Sequence, residues 1–221
     1  MIFRGFLYAL ARIQFDKLNE YSEDMEVLIK KMTDDYMQQL NDISRKYSPE
    51  AQEQFWDNNS GRAMELYTEY PNLLRSSILT SSITNLEKTF LKIHRAITEN
   101  SNLKITGYKN KRFKNSTIEN IIQSIDEVIP MKPLYEISAW EDLIFYIKIR
   151  NRVIHDNGSI HPVHHKELHY KIKDIGKSDL RTVTLNPYHE LIFLENFSQA
   201  IINTSIEVLN RLVEAVQQYV E

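Results

Sequence analysis

The chain of 221 residues lacks several features that mark particular protein classes. It has no cysteine, which excludes a disulfide scaffold, thiolate zinc sites and a cysteine nucleophile. It has only 5 Gly and 6 Pro, and so few turn residues favour long helices over a many-turned β fold. The formal net charge of -3 gives no overall basic field, so any contact with nucleic acid requires a local patch. No run approaches the about 20 apolar residues that span a bilayer, so we expect a soluble, cytoplasmic protein without a membrane partner.

The sequence does contain apolar residues at helical spacing. Hydrophobic residues make up 42% of the chain, which is enough to build a core. The first long pattern predicts a helix that ends at Ser48-Pro49, because the residue before a proline is disfavoured in the α conformation. Such a stripe packs inside its own bundle or against a partner helix, in the same molecule or a second copy. Its members are Leu18, Tyr21, Met25, Leu28, Met32, Tyr36, Leu40, Ile43 and Tyr47.

The remaining patterns predict a mainly α fold. A helix that begins at Pro71 is predicted to bury the stripe Leu74, Ile78, Ser82, Leu86, Phe90, Ile93 and Ile97. Alternating residues on both sides of Asn186-Pro187 indicate a minor β-hairpin near residues 181–194. We predict one domain over 1–221, with an N-terminal helical extension over 1–66 and a core over 70–221. Further helices are predicted at about 49–56, 117–129, 138–157, 161–175 and 196–220, with a loop at 57–61.

The most informative stretch closes the predicted helix that ends at Asn157-Gly158. It contains Arg150, Asn151 and His155 after a strongly apolar segment. Histidine exchanges a proton near neutral pH and arginine binds phosphate through a permanently charged fork, so together they can cleave RNA without a metal. On an ideal helix Arg150 lies about 140° from His155, so they converge only if the last turn distorts or two copies face each other. The alternative is structural, because the helix dipole favours cations at a C-terminus.

These three residues resemble the R-N-x-x-x-H signature of the HEPN superfamily. The setting is also similar, since the motif closes a helix late in a helical chain and a long final helix follows. The segment from Leu74 to Ile97, with Ser82 and Glu87, resembles the second core helix of that family. The resemblance covers roughly residues 70 to 220 and implies a HEPN-like helical bundle with long antiparallel helices.

The resemblance also implies a homodimer in which two motifs face each other. Many members are metal-independent endoribonucleases of toxin–antitoxin, abortive-infection and CRISPR systems, so RNA and an antitoxin or defence partner are implied, with neither cofactor nor metal. In this family Arg150 would bind the scissile phosphate, His155 would act as general acid or base, and Asn151 would orient one of them. Glu87 would fix Arg150. Toxins paired with a nucleotidyltransferase antitoxin often carry Tyr two residues after the histidine, where this chain has Asn157, so AMPylation there is not expected.

Two other clusters could contact RNA. The stretch from Lys104 to Lys114 has no acidic residue and interleaves cations with aromatic side chains, as single-stranded RNA paths do. The alternative is a solvated loop. The RNA-binding candidates are Lys109, Lys111, Arg112 and Lys114, together with Arg152 beside the motif.

The histidines between His161 and His169 allow three interpretations. His165 and His169 are four residues apart, as helical metal ligands would be, but no H-E-x-x-H motif accompanies them. A solvated histidine-rich surface or part of an RNA path are the alternatives. For the whole chain, the alternative to a ribonuclease is a non-catalytic HEPN-type scaffold that binds RNA or protein.

Overall fold

The computed structural model describes residues 2–100, 116–175 and 182–220, and most of them are helical. The helices are α1 (Ile2–Ser44), α2 (Pro49–Met64), α3 (Tyr70–Asn100), α4 (Thr117–Asp126), α5 (Lys132–Tyr135), α6 (Ser138–Asp156), α7 (Lys166–Ile175) and α8 (Phe197–Val220). A π-helical turn, Glu65–Glu69, joins α2 to α3. Strands β1 (Val183–Leu185) and β2 (Leu191–Phe193) pair antiparallel, with Val183 opposite Phe193. The predicted mainly α fold with a small hairpin is confirmed.

The core lies between the long helices. Helix α1 packs against α3 and α8, and α8 also packs against α3 and α6. The predicted stripe of α3 is buried over its whole length, from Leu74 to Ile97. Arg75 ties three elements together, because its guanidinium donates to both Glu26 carboxylate oxygens at 2.6 and 2.7 Å and to the Phe193 carbonyl at 2.8 Å. Helix α1 is therefore fixed to α3 and to the hairpin by an almost fully buried arginine.

The predicted stripe of α1 is buried only in part. Leu40 is buried and Leu18 and Met25 pack against the core, whereas Tyr21, Leu28 and Met32 are exposed. The buried face also carries small polar residues one position after the exposed ones, about 100° further around the helix. The prediction missed them because Ser and Thr side chains also fit a close helix contact, and Thr33 donates its hydroxyl to the Ile29 carbonyl at 2.8 Å. The buried residues are Ala11, Phe15, Ser22, Ile29, Thr33, Leu40 and Ser44.

The predicted loop at 57–61 is also wrong, because α2 continues through it to Met64. The polar side chains there bond to the helix itself. Asn59 donates to the Phe55 carbonyl at 2.7 Å, and Ser60 donates to the Asp57 carbonyl at 2.9 Å. Turn-forming residues therefore lie inside a helix that runs through the π-helical turn into α3.

The hairpin is attached to the end of α6. Asn157 and Gly158 adopt left-handed backbone angles, with φ of 49° and 81°, and end the helix as the sequence predicts. Immediately after them, the Leu191 amide donates to the Gly158 carbonyl at 3.0 Å, and the Ile160 amide donates to the His189 carbonyl at 2.8 Å. These bonds hold the residues after the helix against the start of β2. Within the part of the chain that the structure describes, no helix combines the length and hydropathy needed to cross a membrane.

Candidate active site at the end of helix α6

Helix α6 changes from apolar to polar along its length. Its apolar positions, including Leu143, Ile147 and Ile149, are buried in the core. The polar residues of the motif begin only after Ile149, in the last two turns of the helix. The sequence therefore places Arg150, Asn151 and His155 where the helix leaves the core and reaches the surface.

Arg150 is held from both sides. One terminal nitrogen lies 3.5 Å from the Glu87 carboxylate on α3, and the other donates to the Asn151 amide oxygen at 3.2 Å. The side chains of Arg150 and Glu87 are only 20% and 21% exposed. The Arg150 Nε atom is buried and has no hydrogen-bond partner among the residues that the structure describes. The structure thus brings Glu87 and Arg150 together, as proposed from the sequence, while their roles in a reaction stay predictions.

His155 lies apart from Arg150. Its side chain is exposed, and its imidazole makes no hydrogen bond or ion pair within the described ranges of the chain. The helix continues without distortion to Asp156, so the two side chains remain about 140° apart around α6. One copy of the chain therefore does not join the predicted catalytic pair.

Arg152, predicted as an RNA contact, is held by two partners. Its guanidinium lies 2.6 Å from the Asp156 carboxylate and 2.6 Å from His165 Nε2. A guanidinium only donates, so His165 Nε2 is the acceptor and the ring proton resides on Nδ1. Burial, together with the charge of Arg152, lowers the pKa of His165 from its ordinary 6.5. The His165 ring is therefore neutral at pH 7, and its buried Nδ1 atom has no hydrogen-bond partner within the described part of the chain.

The other histidines of the cluster have partners of their own. His169 is buried and contacts His189 of the hairpin turn at 3.4 Å. The His161 ring nitrogen accepts backbone N–H bonds from Val163 and His164, and so closes the turn before α7. Among the described residues, no group of three or more His, Asp or Glu side chains is placed to hold a metal ion.

A groove beside the motif was missed by the sequence prediction. It has a volume of about 580 Å³ and runs between α6 and the start of α7. Asn151 and Arg152 line it together with Lys148, His164 and His165. The spacing of Lys148, Asn151 and Arg152 on α6 was a possible signal, but the packing of α7 against them is a tertiary property.

The basic stretch from Lys104 to Lys114 lies outside the described residues, and so do Lys109, Lys111, Arg112 and Lys114. Their predicted contact with RNA stays a prediction. Comparisons with family models, with curated proteins and with solved structures find no match for the chain. The resemblance to the HEPN superfamily therefore rests on the motif and its setting alone.

Proposed function

We propose that the chain is a metal-independent endoribonuclease of the HEPN type, a cytoplasmic effector of a toxin or antiphage system. The observation that carries this proposal is the Arg150–Asn151–His155 group at the end of α6, with Arg150 held by Glu87. A partly buried, fixed cation and a free, exposed imidazole are the two groups that cleavage of RNA requires.

In the proposed reaction an RNA 2′-oxygen attacks the adjacent phosphorus and the 5′-oxygen leaves. His155 removes the 2′ proton while water protonates the leaving 5′-oxygen, or His155 protonates the leaving oxygen while water takes the 2′ proton. Arg150 donates hydrogen bonds to the phosphate oxygens, where negative charge increases in the transition state. The products are a 2′,3′-cyclic phosphate and a 5′-hydroxyl. No metal or cofactor takes part in this scheme.

The separation of Arg150 and His155 supports a site shared by two copies. In a symmetric dimer the Arg150 of one copy meets the His155 of the other, and the two-fold axis produces two such sites. The homodimer therefore belongs to the proposal. An antitoxin or another defence protein would act on this dimer.

The test is RNA cleavage by the purified protein in excess EDTA. We expect the wild type to produce 2′,3′-cyclic phosphate ends and His155→Ala to lose at least about 100-fold in rate, the usual size of a general acid or base contribution. Ile154→Ala, an exposed neighbour on the same turn, is the matched control and should retain wild-type activity. Equal cleavage by wild type and His155→Ala would refute the proposed site.

The second candidate is a non-catalytic HEPN-type scaffold that binds RNA or protein. One observation favours it: Arg150 is already paired with Glu87 and Asn151, so in one copy it is not free for a phosphate. A scaffold should bind RNA or its partner with equal affinity in wild type and His155→Ala, and should cleave no RNA in total tRNA or mRNA.

A further inference from the structure

The groove between α6 and the start of α7 has the size of a ligand site. Its volume of about 580 Å³ falls within the roughly 300–1,000 Å³ of small-molecule sites. One wall is α6, and the other is the turn that contains His164 and His165 followed by the first turns of α7. The two walls are joined at one end by the contact between Arg152 and His165.

The groove is lined by more cations than carboxylates. Lys148, Arg152, Lys166 and Lys171 line it, against Glu141 and Glu167, while Asp156 compensates the charge of Arg152 and Asp142 interacts electrostatically with Lys171. Within residues 2–100, 116–175 and 182–220, no carboxylate lies within ion-pair distance of the three lysines. Unpaired cations on a concave surface attract and hold an anion.

Arg152 is fixed in the wall before any ligand arrives. Asp156 and the neutral His165 hold the same terminal nitrogen, each at 2.6 Å, so the orientation of the guanidinium is set in advance.

The floor of the groove is apolar. It is formed by Ile144, Phe145 and Leu168, with Val163 at the rim, where its side chain is 74% exposed. The Lys171 ammonium lies 4.8 Å from the centre of the Phe145 ring, so charge and apolar surface are adjacent. A nucleobase joined to a phosphate complements this combination, because it carries a flat apolar face next to a compact anion.

We infer that this groove binds a nucleoside phosphate, with the phosphate between Lys148 and Arg152 and the base against the apolar floor. Ile144, Lys148, Asn151 and His155 follow steps of four, three and four, so they share one face of α6. A nucleotide in the groove is therefore aligned toward His155. The ligand is a nucleotide of the RNA beside the cleaved bond, an interpretation that rests on the proposed function, or a free nucleotide.

The test measures binding to the full chain without any cleavage. The probes are AMP and a fluorescent hexanucleotide with 2′-O-methyl groups, which lacks the attacking hydroxyl. The Lys148→Ala, Lys166→Ala double variant removes two groove cations, and Lys31→Ala, Lys92→Ala is a charge-matched control whose exposed lysines lie outside the groove. Val163→Glu adds a carboxylate at the exposed rim without touching the core.

We expect both groove variants to weaken binding by about tenfold and the control to bind like the wild type. For the hexanucleotide, the slope of log K against log salt should fall by roughly 0.7 for each phosphate contact removed. Weakened binding of AMP alone supports a free nucleotide, and weakened binding of the hexanucleotide supports the RNA source. Equal affinities for groove variants and control overturn the inference. His155→Ala should bind both probes like the wild type. If the wild type binds the probes in the groove but cleaves no RNA, only the proposed function is refuted.

Discussion

At the scale of single residues, the orientation of Arg150 depends on Glu87. The two side chains come from different helices and are about four-fifths buried, so solvent screens their interaction less than it screens a surface pair. The distance of 3.5 Å and the remaining exposure keep the stabilisation modest. Glu87 therefore acts mainly by fixing where the guanidinium points, and it does so on the side of α6 away from His155.

Replacing Glu87 by Gln tests this positioning. The amide keeps the size of the side chain but removes the charge, so Arg150 loses its counter-ion in a partly buried place. We expect the free energy of unfolding to fall by about 1 kcal/mol, measured by urea denaturation. Glu99→Gln, on the exposed end of the same helix, should leave it unchanged. Equal stability of Glu87→Gln and Glu99→Gln would contradict the ion pair with Arg150. The positioning role is tested by RNA cleavage, which we expect Glu87→Gln to lose and Glu87→Asp to retain, and cleavage by Glu87→Gln at the wild-type rate would contradict it.

Buried histidines make the stability depend on pH. Burial lowers the pKa of His94 from its ordinary 6.5, and the pKa values of His165 and His169 shift in the same direction for the same first cause. Below pH 6.5 the unfolded chain binds more protons than the folded one. The stabilisation from neutral imidazoles is therefore complete above about pH 6.5 and is lost as the pH falls toward the folded-state values.

We expect the urea midpoint to be flat from pH 8 to 7 and to decrease from pH 6.5 to 5. His94 is the histidine to replace, because its Nε2 pairs with the buried Ser124 hydroxyl at 3.0 Å and it does not line the groove. His94→Gln retains a hydrogen-bonding group without a titrating ring, so the decrease below pH 6.5 should be smaller. A pH dependence identical to that of the wild type would contradict the assignment to His94.

At the scale of elements, two glycines test how helices are continued and ended. Gly158 ends α6 with φ of 81°, and a β-carbon there would meet only Leu191 at 3.7 Å, an ordinary contact. Gly61 lies inside α2, and apart from the neighbouring helix backbone no described residue comes within 4 Å of its β-carbon position. We expect Gly158→Ala to destabilise by about 1 kcal/mol because of its backbone angle, and Gly61→Ala to stabilise by about 0.5–1 kcal/mol. Thermal unfolding of the two variants should show shifts of opposite sign, and shifts of the same sign would contradict the assignment of α2 through residue 61.

The elements also show which features the sequence allowed one to predict. The stripe of α3 and the end of α6 at Asn157-Gly158 depend on local pattern, and both are as predicted. The buried face of α1 depends on which neighbours approach it, and Ser22 and Thr33 gave no hydropathy signal. The pairing of Glu87 with Arg150 was predicted from the resemblance to the HEPN motif and not from the local pattern. The groove was not predicted, because it forms only when the turn before α7 packs back onto α6.

At the scale of the whole molecule, the geometry of α6 connects catalysis to oligomeric state. A straight helix keeps Arg150 and His155 about 140° apart, so the proposed chemistry needs a second copy. The long exposed apolar stripe on α1, with Tyr21, Leu28 and Met32, provides further surface that the monomer leaves uncovered. Light scattering at micromolar concentration should therefore give the mass of a dimer, and a strict monomer would contradict a shared site.

Mixing two inactive variants distinguishes a shared site from two separate ones. Arg150→Ala and His155→Ala each remove one half of every site, so each is expected to be inactive by itself. If subunits exchange freely, half of the dimers contain one copy of each variant, and one of their two sites keeps both Arg150 and His155. The mixture should then recover about a quarter of the wild-type cleavage rate, as two-fold symmetry requires. The double variant mixed with wild type is the control, because its heterodimers contain no complete shared site. Absence of recovery in a mixture shown to contain heterodimers would mean that Arg150 and His155 act within one copy, if they act at all.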